Sequence, residues 1–403
     1  MTVLFQSENV VARAVPCEDQ SRWVITFDNY SIGHGFDREG FSEAYLKAQG
    51  LSAVHVMGKR EDWYQYPEMP AVLAAVRDAI KDAEHSITYG SSMGGYAALR
   101  CADPLGVKAA LALSPQYSIN PRLAPFEKRW LQDAERLSWS PEGELPLPRK
   151  TRAVVVFDPA SQDRLHIDLI AAESEIVRIP VRYSGHPSAS MLAELHILSP
   201  LLHDVLSSRD DLSSYSRLAR SGRAKSVTYL VTLAAAAAAR RPHWALSLSQ
   251  RAVDVHPTHI GALQSLASNL HAAGRHDEAV AAYQQAVELS DRNIVVVMPY
   301  ASMLSEIGRH EEALILAREV SARPDASLMA TVQAWRGFLA HEAGFIDEAI
   351  EAVAQAAALH PTQPMYQKLL QSYRSQRSFT GKALIALRRM RAKMLRSLSP
   401  DAT

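Results

Sequence analysis

The stretch SITYGSSMGGYAAL, residues 86–99, decides how the first half of the chain is interpreted. It begins with β-branched and aromatic residues, which favour a strand, and it continues after the glycines with small and apolar residues, which favour a helix. Between them lies Gly90-x-Ser92-x-Gly94, a pattern typical of a sharp strand-to-helix turn that exposes a serine hydroxyl above a sheet. Glycines suit such a turn because the serine backbone is strained and the next helix packs close to it. Ser92 is therefore a candidate nucleophile.

Strand and helix patterns alternate on both sides of this turn. Helix patterns occupy residues 41–49, 69–82 and 188–207, and strand patterns occupy residues 9–15, 23–27, 52–57, 108–113, 153–157 and 176–183. This alternation predicts an α/β domain with a doubly wound, mostly parallel sheet, in which reactive groups gather at the carboxyl edge.

The turn at Ser92 resembles the nucleophile elbow of the α/β-hydrolase superfamily, and residues 1–207 are identified as a member of it. The resemblance implies a nucleophile, an acid and a histidine in that order along the chain. His186, in the sequence YSGH directly after the last predicted strand, stands where the base belongs. The sequence FDPASQD, residues 157–163, offers two acids: we favour Asp163, which lies in the loop, and keep Asp158 as the alternative. The other aspartate is expected to accept backbone N–H groups in a turn.

The same resemblance implies a pair of hydrogen-bond donors for a developing oxyanion. One is the backbone N–H of Met93, the residue after the nucleophile. The other comes from the loop after an early strand, where Asn29 stands in place of the family's usual glycine.

Aromatic and polar residues after two other strands are candidates for substrate contacts. They are Trp63 and Tyr64 after the strand predicted at residues 52–57, and Gln116 and Tyr117 after the strand that follows the elbow. Rings with polar tips suit a sugar or acyl-amide substrate. Packing of these aromatics on the domain surface is an equally open interpretation. The proline-containing segment 114–150 is likewise expected to form either a small cap over the site or a surface excursion.

The second half of the chain repeats itself. Ala245, Ala279 and Ala313 are spaced by 34 residues, and the words GRHDEA, GRHEEA and GFIDEA begin at Gly274, Gly308 and Gly344. This period resembles tetratricopeptide repeats, which stack as helix pairs into a solenoid. We therefore predict an all-α repeat domain over residues 223–403, joined to the first domain by a linker at residues 208–222. Four units fit, and a degenerate fifth near Ala383 is expected to cap the array.

Composition excludes several classes of function. Lys plus Arg and Asp plus Glu are both 43, so no overall field favours nucleic acid. Cys17 and Cys101 fit neither a disulfide scaffold nor a metal site, and no Walker loop or zinc motif is present, so we expect no cofactor and no metal. The first residues do not match a signal peptide, and no apolar run approaches about 18 residues, so a cytoplasmic protein without a transmembrane segment is expected. The basic run RRMRAK, residues 388–393, is interpreted as a solvated helix face, with an anionic surface as the alternative.

These patterns together favour a serine hydrolase of the esterase or deacylase kind. Its substrate would be a small-molecule or carrier-linked acyl compound, and the concave face of the repeats would bind a protein partner. An acyltransferase, in which a sugar or lipid hydroxyl replaces water, needs the same residues. A non-catalytic repeat scaffold with a hydrolase-like domain is the third interpretation.

Overall fold

The computed structural model of the chain describes residues 1–139, 144–324 and 329–377. The chain divides into two compact units, Met1–Ala236 and Ala237–Thr403. The first is a mixed α/β domain built on one sheet, and the second is helical throughout its described residues.

The sheet of the first unit has eight strands: β1 (Thr2–Gln6), β2 (Val10–Val15), β3 (Arg22–Phe27), β4 (Ser52–Gly58), β5 (His85–Ser91), β6 (Ala109–Leu113), β7 (Arg152–Phe157) and β8 (Ile176–Pro180). Their order across the sheet is β1-β2-β4-β3-β5-β6-β7-β8. β2 pairs antiparallel with β1 and with β4, whereas every pair from β4 to β8 is parallel. The predicted mostly parallel sheet is thus present, with a two-stranded antiparallel extension.

In the described part of the chain before residue 223, nine helices accompany this sheet: α1 (Glu43–Ala48), α2 (Met69–Ala79), α3 (Met93–Arg100), α4 (Ala102–Leu105), α5 (Leu131–Arg136), α6 (Asp163–Glu173), α7 (Ala189–Glu194), α8 (Leu198–Leu206) and α9 (Ser214–Gly222). Successive strand residues enter different apolar clusters. Val24 and Ala53 belong to one cluster, and their neighbours Ile25 and Val54 belong to the other. Both faces of the central strands are therefore covered, as near-continuous apolar strands require.

The register of the parallel strands brings their carboxyl ends to one edge of the sheet. Phe27 at the end of β3 pairs with Gly90, and Ser91 at the end of β5 pairs with Leu113 at the end of β6. The loops that leave β3, β5, β6, β7 and β8 consequently start side by side, and all the candidate site residues predicted from the resemblance lie in or just after them.

The later helices are α10 (Val227–Ala237), α11 (Pro242–Val255), α12 (Ile260–Ala272), α13 (His276–Leu289), α14 (Ile294–Glu306), α15 (His310–Ser321), α16 (Ala330–Ala343), α17 (Ile346–Leu359) and α18 (Pro364–Gln376), preceded by a 3-10 turn at Arg223–Lys225. The repeated Ala245, Ala279 and Ala313 are fully buried. Gly274 and Gly308 have φ values of 76° and 86° between paired helices. The repeated sequence motifs are explained by small residues at the helix contacts and by left-handed glycines between helices.

Three boundaries differ from the sequence prediction. The range 208–222 is not an open linker, because it contains α9, and Tyr215 and Ala219 are buried in a core cluster of the first unit. The helix predicted over 188–207 is two helices, α7 and α8, and the last strand ends at Pro180. The expected fifth repeat near Ala383 and the basic run at 388–393 lie outside the described residues. Within the described ranges, no helix combines the length and apolar character needed to span a bilayer.

Candidate active site

Ser92 sits on a strained turn between β5 and α3. Its φ and ψ are 55° and −117°, outside the regions that residues other than glycine usually occupy. The glycines around it have no room for a side chain. A Cβ on Gly90 would lie 2.1 Å from the Gly94 carbonyl oxygen, and a Cβ on Gly94 would lie 2.3 Å from that of Phe27. The pattern Gly90-x-Ser92-x-Gly94 is thus required by close backbone approach on both sides of the serine.

Ser92, His186 and Asp163 form one hydrogen-bonded series. Ser92 Oγ lies 2.8 Å from His186 Nε2, and His186 Nδ1 lies 2.7 Å from Asp163 Oδ2. Ser92 and Asp163 are buried, while the side chain of His186 is 16% exposed. An ionised carboxylate only accepts, so Nδ1 carries the imidazole proton and Nε2 accepts from the serine hydroxyl. This is the arrangement in which an imidazole can take a proton from a hydroxyl.

Asp158 lies elsewhere, beneath the loop that carries His186. Its Oδ1 accepts from the backbone N–H groups of Ala160 and Tyr183, and its Oδ2 accepts from that of Gly185. Of the two predicted acids, Asp163 therefore contacts the histidine, and Asp158 holds the turn before it.

Gln116 and Tyr117 both follow β6, but they form hydrogen bonds with different residues. Gln116 is 1% exposed, and its Nε2 donates to Ser92 Oγ over 2.9 Å. The Tyr117 hydroxyl instead donates to Glu173 Oε1 on α6, and its backbone N–H donates to His166 Nδ1. Only Gln116 of this pair contacts the nucleophile.

Trp63 and Tyr64, which the sequence suggested as substrate contacts, are both buried. Tyr64 accepts from the backbone N–H of Asp28 and donates to the Val56 carbonyl, so its hydroxyl is occupied inside the domain. It also lines, with Tyr66, Tyr96 and Trp139, a cavity of about 660 Å³ beside α3. Trp63 is fully buried and packs on Trp130, at 5.7 Å between ring centroids. Both are thus packed inside the domain, which neither substrate contact nor packing on the domain surface had predicted.

The two residues proposed as oxyanion donors lie on either side of the elbow. Met93 is the first residue of α3, where a backbone N–H has no acceptor within the helix. Asn29 follows Phe27 and Asp28, whose carbonyls lie against Gly94. The side-chain amide of Asn29 donates to the Tyr30 carbonyl. That bond uses one of the two side-chain N–H bonds, and the backbone N–H of Asn29 is the group that corresponds to the donor implied by the resemblance.

Sequence reasoning missed a second set of polar residues behind Asp163. Arg129 Nη1 donates to Asp163 Oδ1 over 2.9 Å, and Arg129 Nη2 donates to Glu127 Oε2 over 2.7 Å. Glu127 also accepts from His166 Nε2 at 2.8 Å. Arg129 stacks on Trp130, whose ring lies 5.3 Å from that of His186. The segment 114–150 thus contributes packing and charge to the site, and its prolines and tryptophans were the only signal of this.

Ion pairing controls the charge of these buried groups. Burial by itself raises the pKa of Asp163, but the hydrogen bond from His186 and the charge of Arg129 outweigh it, so this pKa lies below its usual value. Burial also opposes ionisation of Glu127, yet hydrogen bonds from His166 and Arg129 lower its pKa to about 2. Both carboxyls are therefore ionised near neutral pH, and Asp163 is an acceptor for the His186 N–H.

The described residues offer no other obvious chemistry. Cys17 and Cys101 are free thiols. In the parts of the chain that the structure describes, no three His, Cys, Asp or Glu side chains are grouped as a metal site requires.

Comparisons with known proteins concern the helical region. The family model of the tetratrico peptide repeat matches residues 262–376, so this region carries tetratricopeptide repeats, as its 34-residue period predicts. Among solved structures, MamA (41 to end) from Desulfovibrio magneticus RS-1 is 17% identical, with a TM-score of 0.33, and the match covers 43% of this chain and 97% of that chain. YrrB, described as a TPR protein with an unusual peptide-binding site, is 14% identical with a TM-score of 0.33, and the match covers 44% of this chain and 89% of that chain. No curated protein matches the chain.

Proposed function

We propose that the first unit is a serine hydrolase of the α/β-hydrolase type, which forms and hydrolyses an acyl-enzyme on Ser92. The observation that carries the proposal is the unbroken hydrogen-bonded series from Ser92 through His186 to the ionised Asp163, built on a strained turn. Strain of this kind costs on the order of 1–3 kcal/mol and persists where the surroundings enforce it, commonly at functional sites.

In the proposed acylation step, Ser92 Oγ bonds to the carbonyl carbon of the substrate as its proton passes to His186 Nε2. The resulting imidazolium is stabilised by Asp163, which remains ionised. The backbone N–H groups of Met93 and Asn29 donate to the oxyanion of the tetrahedral intermediate. The bond to the leaving group then breaks, and the leaving heteroatom takes the proton from Nε2.

Deacylation repeats these events with water. A water molecule attacks the acyl carbon and gives one proton to His186 Nε2, and the proton then returns to Ser92 Oγ as the acid product leaves. A sugar or lipid hydroxyl in place of water gives an acyltransferase with the same residues. Hydrolysis is the reaction we propose, because no group of the described site has been identified that would hold a second acceptor.

The repeats are proposed to bring this domain to a protein partner or to a protein-linked acyl substrate. Stacked helix pairs present an extended concave face, which is the usual binding surface of such arrays. Support for this role comes from the family match over residues 262–376.

A fluorophosphonate probe tests the proposal, because it phosphonylates only an activated serine. Wild-type chain should be labelled at Ser92, and Ser92→Ala should abolish labelling and lower kcat by on the order of 10⁶. The neighbouring buried Ser91 gives a matched control: its Oγ has no hydrogen-bond partner, so Ser91→Ala should be labelled at the wild-type rate. Folded wild-type protein that resists the probe would instead support a non-catalytic repeat scaffold.

A further inference from the structure

Gln116 is the only residue besides His186 for which the structure gives a side-chain hydrogen bond to Ser92 Oγ among the described residues. The amide is buried, and it follows β6, the strand next to the elbow strand. Nε2 donates to Oγ over 2.9 Å, while Oε1 is buried and has no hydrogen-bond partner among the residues that the structure describes. The NH₂ group of this amide thus donates to the nucleophile, whereas its carbonyl oxygen lacks a described partner.

The orientation of the amide follows from the protons available. The single hydroxyl proton of Ser92 is donated to His186 Nε2, so Oγ is left with two lone pairs and can only accept from Gln116. The NH₂ group must therefore face Oγ, and the carbonyl oxygen must face away from it.

This arrangement leaves one lone pair of Ser92 Oγ free of the two hydrogen bonds described. A hydroxyl oxygen has one proton and two lone pairs. The proton is directed to His186 and one lone pair to Gln116, so the second lone pair is the one free to attack. Negative charge also develops on Oγ as its proton leaves, and an N–H donor already in place stabilises that charge without reorganisation.

We propose that Gln116 is a further catalytic residue, whose side-chain N–H orients Ser92 Oγ for attack and stabilises the charge that develops on it; this inference rests on the proposed hydrolase function. Gln116 transfers no proton. It keeps both N–H bonds while Oγ bonds to the acyl carbon and His186 Nε2 takes the hydroxyl proton, and it donates again to Oγ when the acyl bond breaks.

The unsatisfied carbonyl gives the proposal a distinctive consequence. A buried polar atom without a partner costs about 1–3 kcal/mol, so an apolar side chain of similar shape should fit position 116 without loss of stability. If Gln116 were retained for packing, the same substitution would lower the stability of the protein. The proposal instead requires that Gln116 is retained for catalysis although it costs stability.

The experiment compares full-length wild type, Gln116→Met, Gln116→Leu and Gln65→Met. Gln65 is the matched control, because its Nε2 donates to Trp63 O and Tyr96 Oη and not to the nucleophile. The second-order rate constant for fluorophosphonate labelling of Ser92 is read by intact mass, and the unfolding midpoint of each protein is read by circular dichroism. Both Gln116 variants should label about a hundredfold more slowly, the effect typical of losing one such donor, and should unfold at or above the wild-type midpoint. Gln65→Met should label at the wild-type rate.

Labelling of the Gln116 variants within threefold of wild type overturns the inference and leaves the proposed hydrolase intact. Loss of stability in both Gln116 variants, including failure to fold, also overturns it, because the amide would then be a structural residue. An unlabelled wild-type Ser92 removes the hydrolase and this inference together.

Discussion

The Ser92 turn and the helical repeats both depend on glycine, but for different physical reasons. Gly94 has no room for a Cβ, which would lie 2.3 Å from the Phe27 carbonyl oxygen. Gly274 has nothing within 4 Å of its Cβ position, and what it supplies is a φ of 76° at the end of a helix. The turn thus needs the absence of a side chain, whereas the repeat needs a left-handed backbone.

Ion pairs in the two regions also differ, both in the sequence separation of the partners and in their burial. Arg275 and Glu278 are three residues apart on one exposed helical turn. Arg129 and Asp163 are 34 residues apart, and the carboxylate is 1% exposed. This ion pair of the repeats is local and exposed, whereas the candidate site is assembled from distant segments whose charges are buried. Substitutions should therefore have large effects at the site and small ones in the repeats.

Among the substitutions that compare the two regions, the largest expected effect is that of Asp163→Asn, which should lower kcat by on the order of 10⁴. Arg129 donates to Asp163 Oδ1, so it would hold the asparagine with its NH₂ group toward His186 Nδ1. Nδ1 would then have to accept, Nε2 would carry the proton, and it could not take one from Ser92. Turnover of a p-nitrophenyl ester by the purified variant measures the loss.

Asp158→Asn is the matched control for this substitution. An asparagine there keeps one acceptor for Ala160 and Tyr183 and loses only the bond from Gly185, so activity should fall about tenfold or less, the effect of one hydrogen bond. An Asp158 variant that is the more damaged of the two would reverse the assignment of the acid.

The second expected effect is on stability, and it separates the two kinds of glycine. Gly94→Ala pushes a methyl group into backbone and should lower the free energy of unfolding by about 3 kcal/mol. Gly274→Ala meets open space and is opposed only by its positive φ, at about 1 kcal/mol. Urea unfolding, with hydrogen exchange to locate the weakened unit, measures both. Gly94 lies in α3 and is not among the glycines with a positive φ, so equal losses would show that the backbone around it relaxes to accept a methyl group.

What could be predicted from the sequence follows the same division. The repeats were predictable because each contact recurs at a fixed interval, so the pattern GRHDEA is visible without knowledge of the fold. Ser92, His186 and Asp163 could be proposed from their order along the chain, and the structure brings them together although Ser92 and His186 are 94 residues apart. Catalysis by them is a prediction that awaits measurement.

Other features of the structure could not be predicted from local patterns in the sequence. Glu127 and Arg129 lie in an aperiodic segment, and their importance comes from Asp163 and His166, which only the folded sheet brings near them. Trp63 and Tyr64 follow a strand at the correct edge, but topology alone does not reveal which side chains turn inward. The helix at Ser214–Gly222 was missed because its polar composition resembles a linker, while Tyr215 and Ala219 anchor it by tertiary packing.

The third expected effect appears on acidification. The pKa of Glu127 is lowered to about 2, so its contribution to stability is complete above the ordinary glutamate value and is lost as the pH falls toward 2. By linkage, wild type should lose about 2 kcal/mol from this group by pH 3. Glu127→Gln cannot titrate, so the stability difference between the two proteins should shrink between pH 5 and pH 3. Urea unfolding at several pH values measures it, and a difference that stays constant would mean that the pKa of Glu127 is the same in the folded and unfolded protein.

The last expected effect is that of Arg129→Met, which removes a side chain that donates to Asp163 and Glu127. Asp163 would keep its bond to His186 but lose the partner of its other oxygen, and kcat/KM should fall ten- to a hundredfold, as when an outer partner of a catalytic group is lost. Removing the positive charge of Arg129 also raises the pKa of Asp163, whose ionised form the mechanism needs, so the acid limb of the pH–rate profile should move to higher pH. Arg129→Lys keeps the charge without the paired geometry, so it should lose rate while the limb stays in place. If Arg129→Met slows the reaction and the limb does not move, Arg129 acts by packing Trp130 against the imidazole and not through its charge.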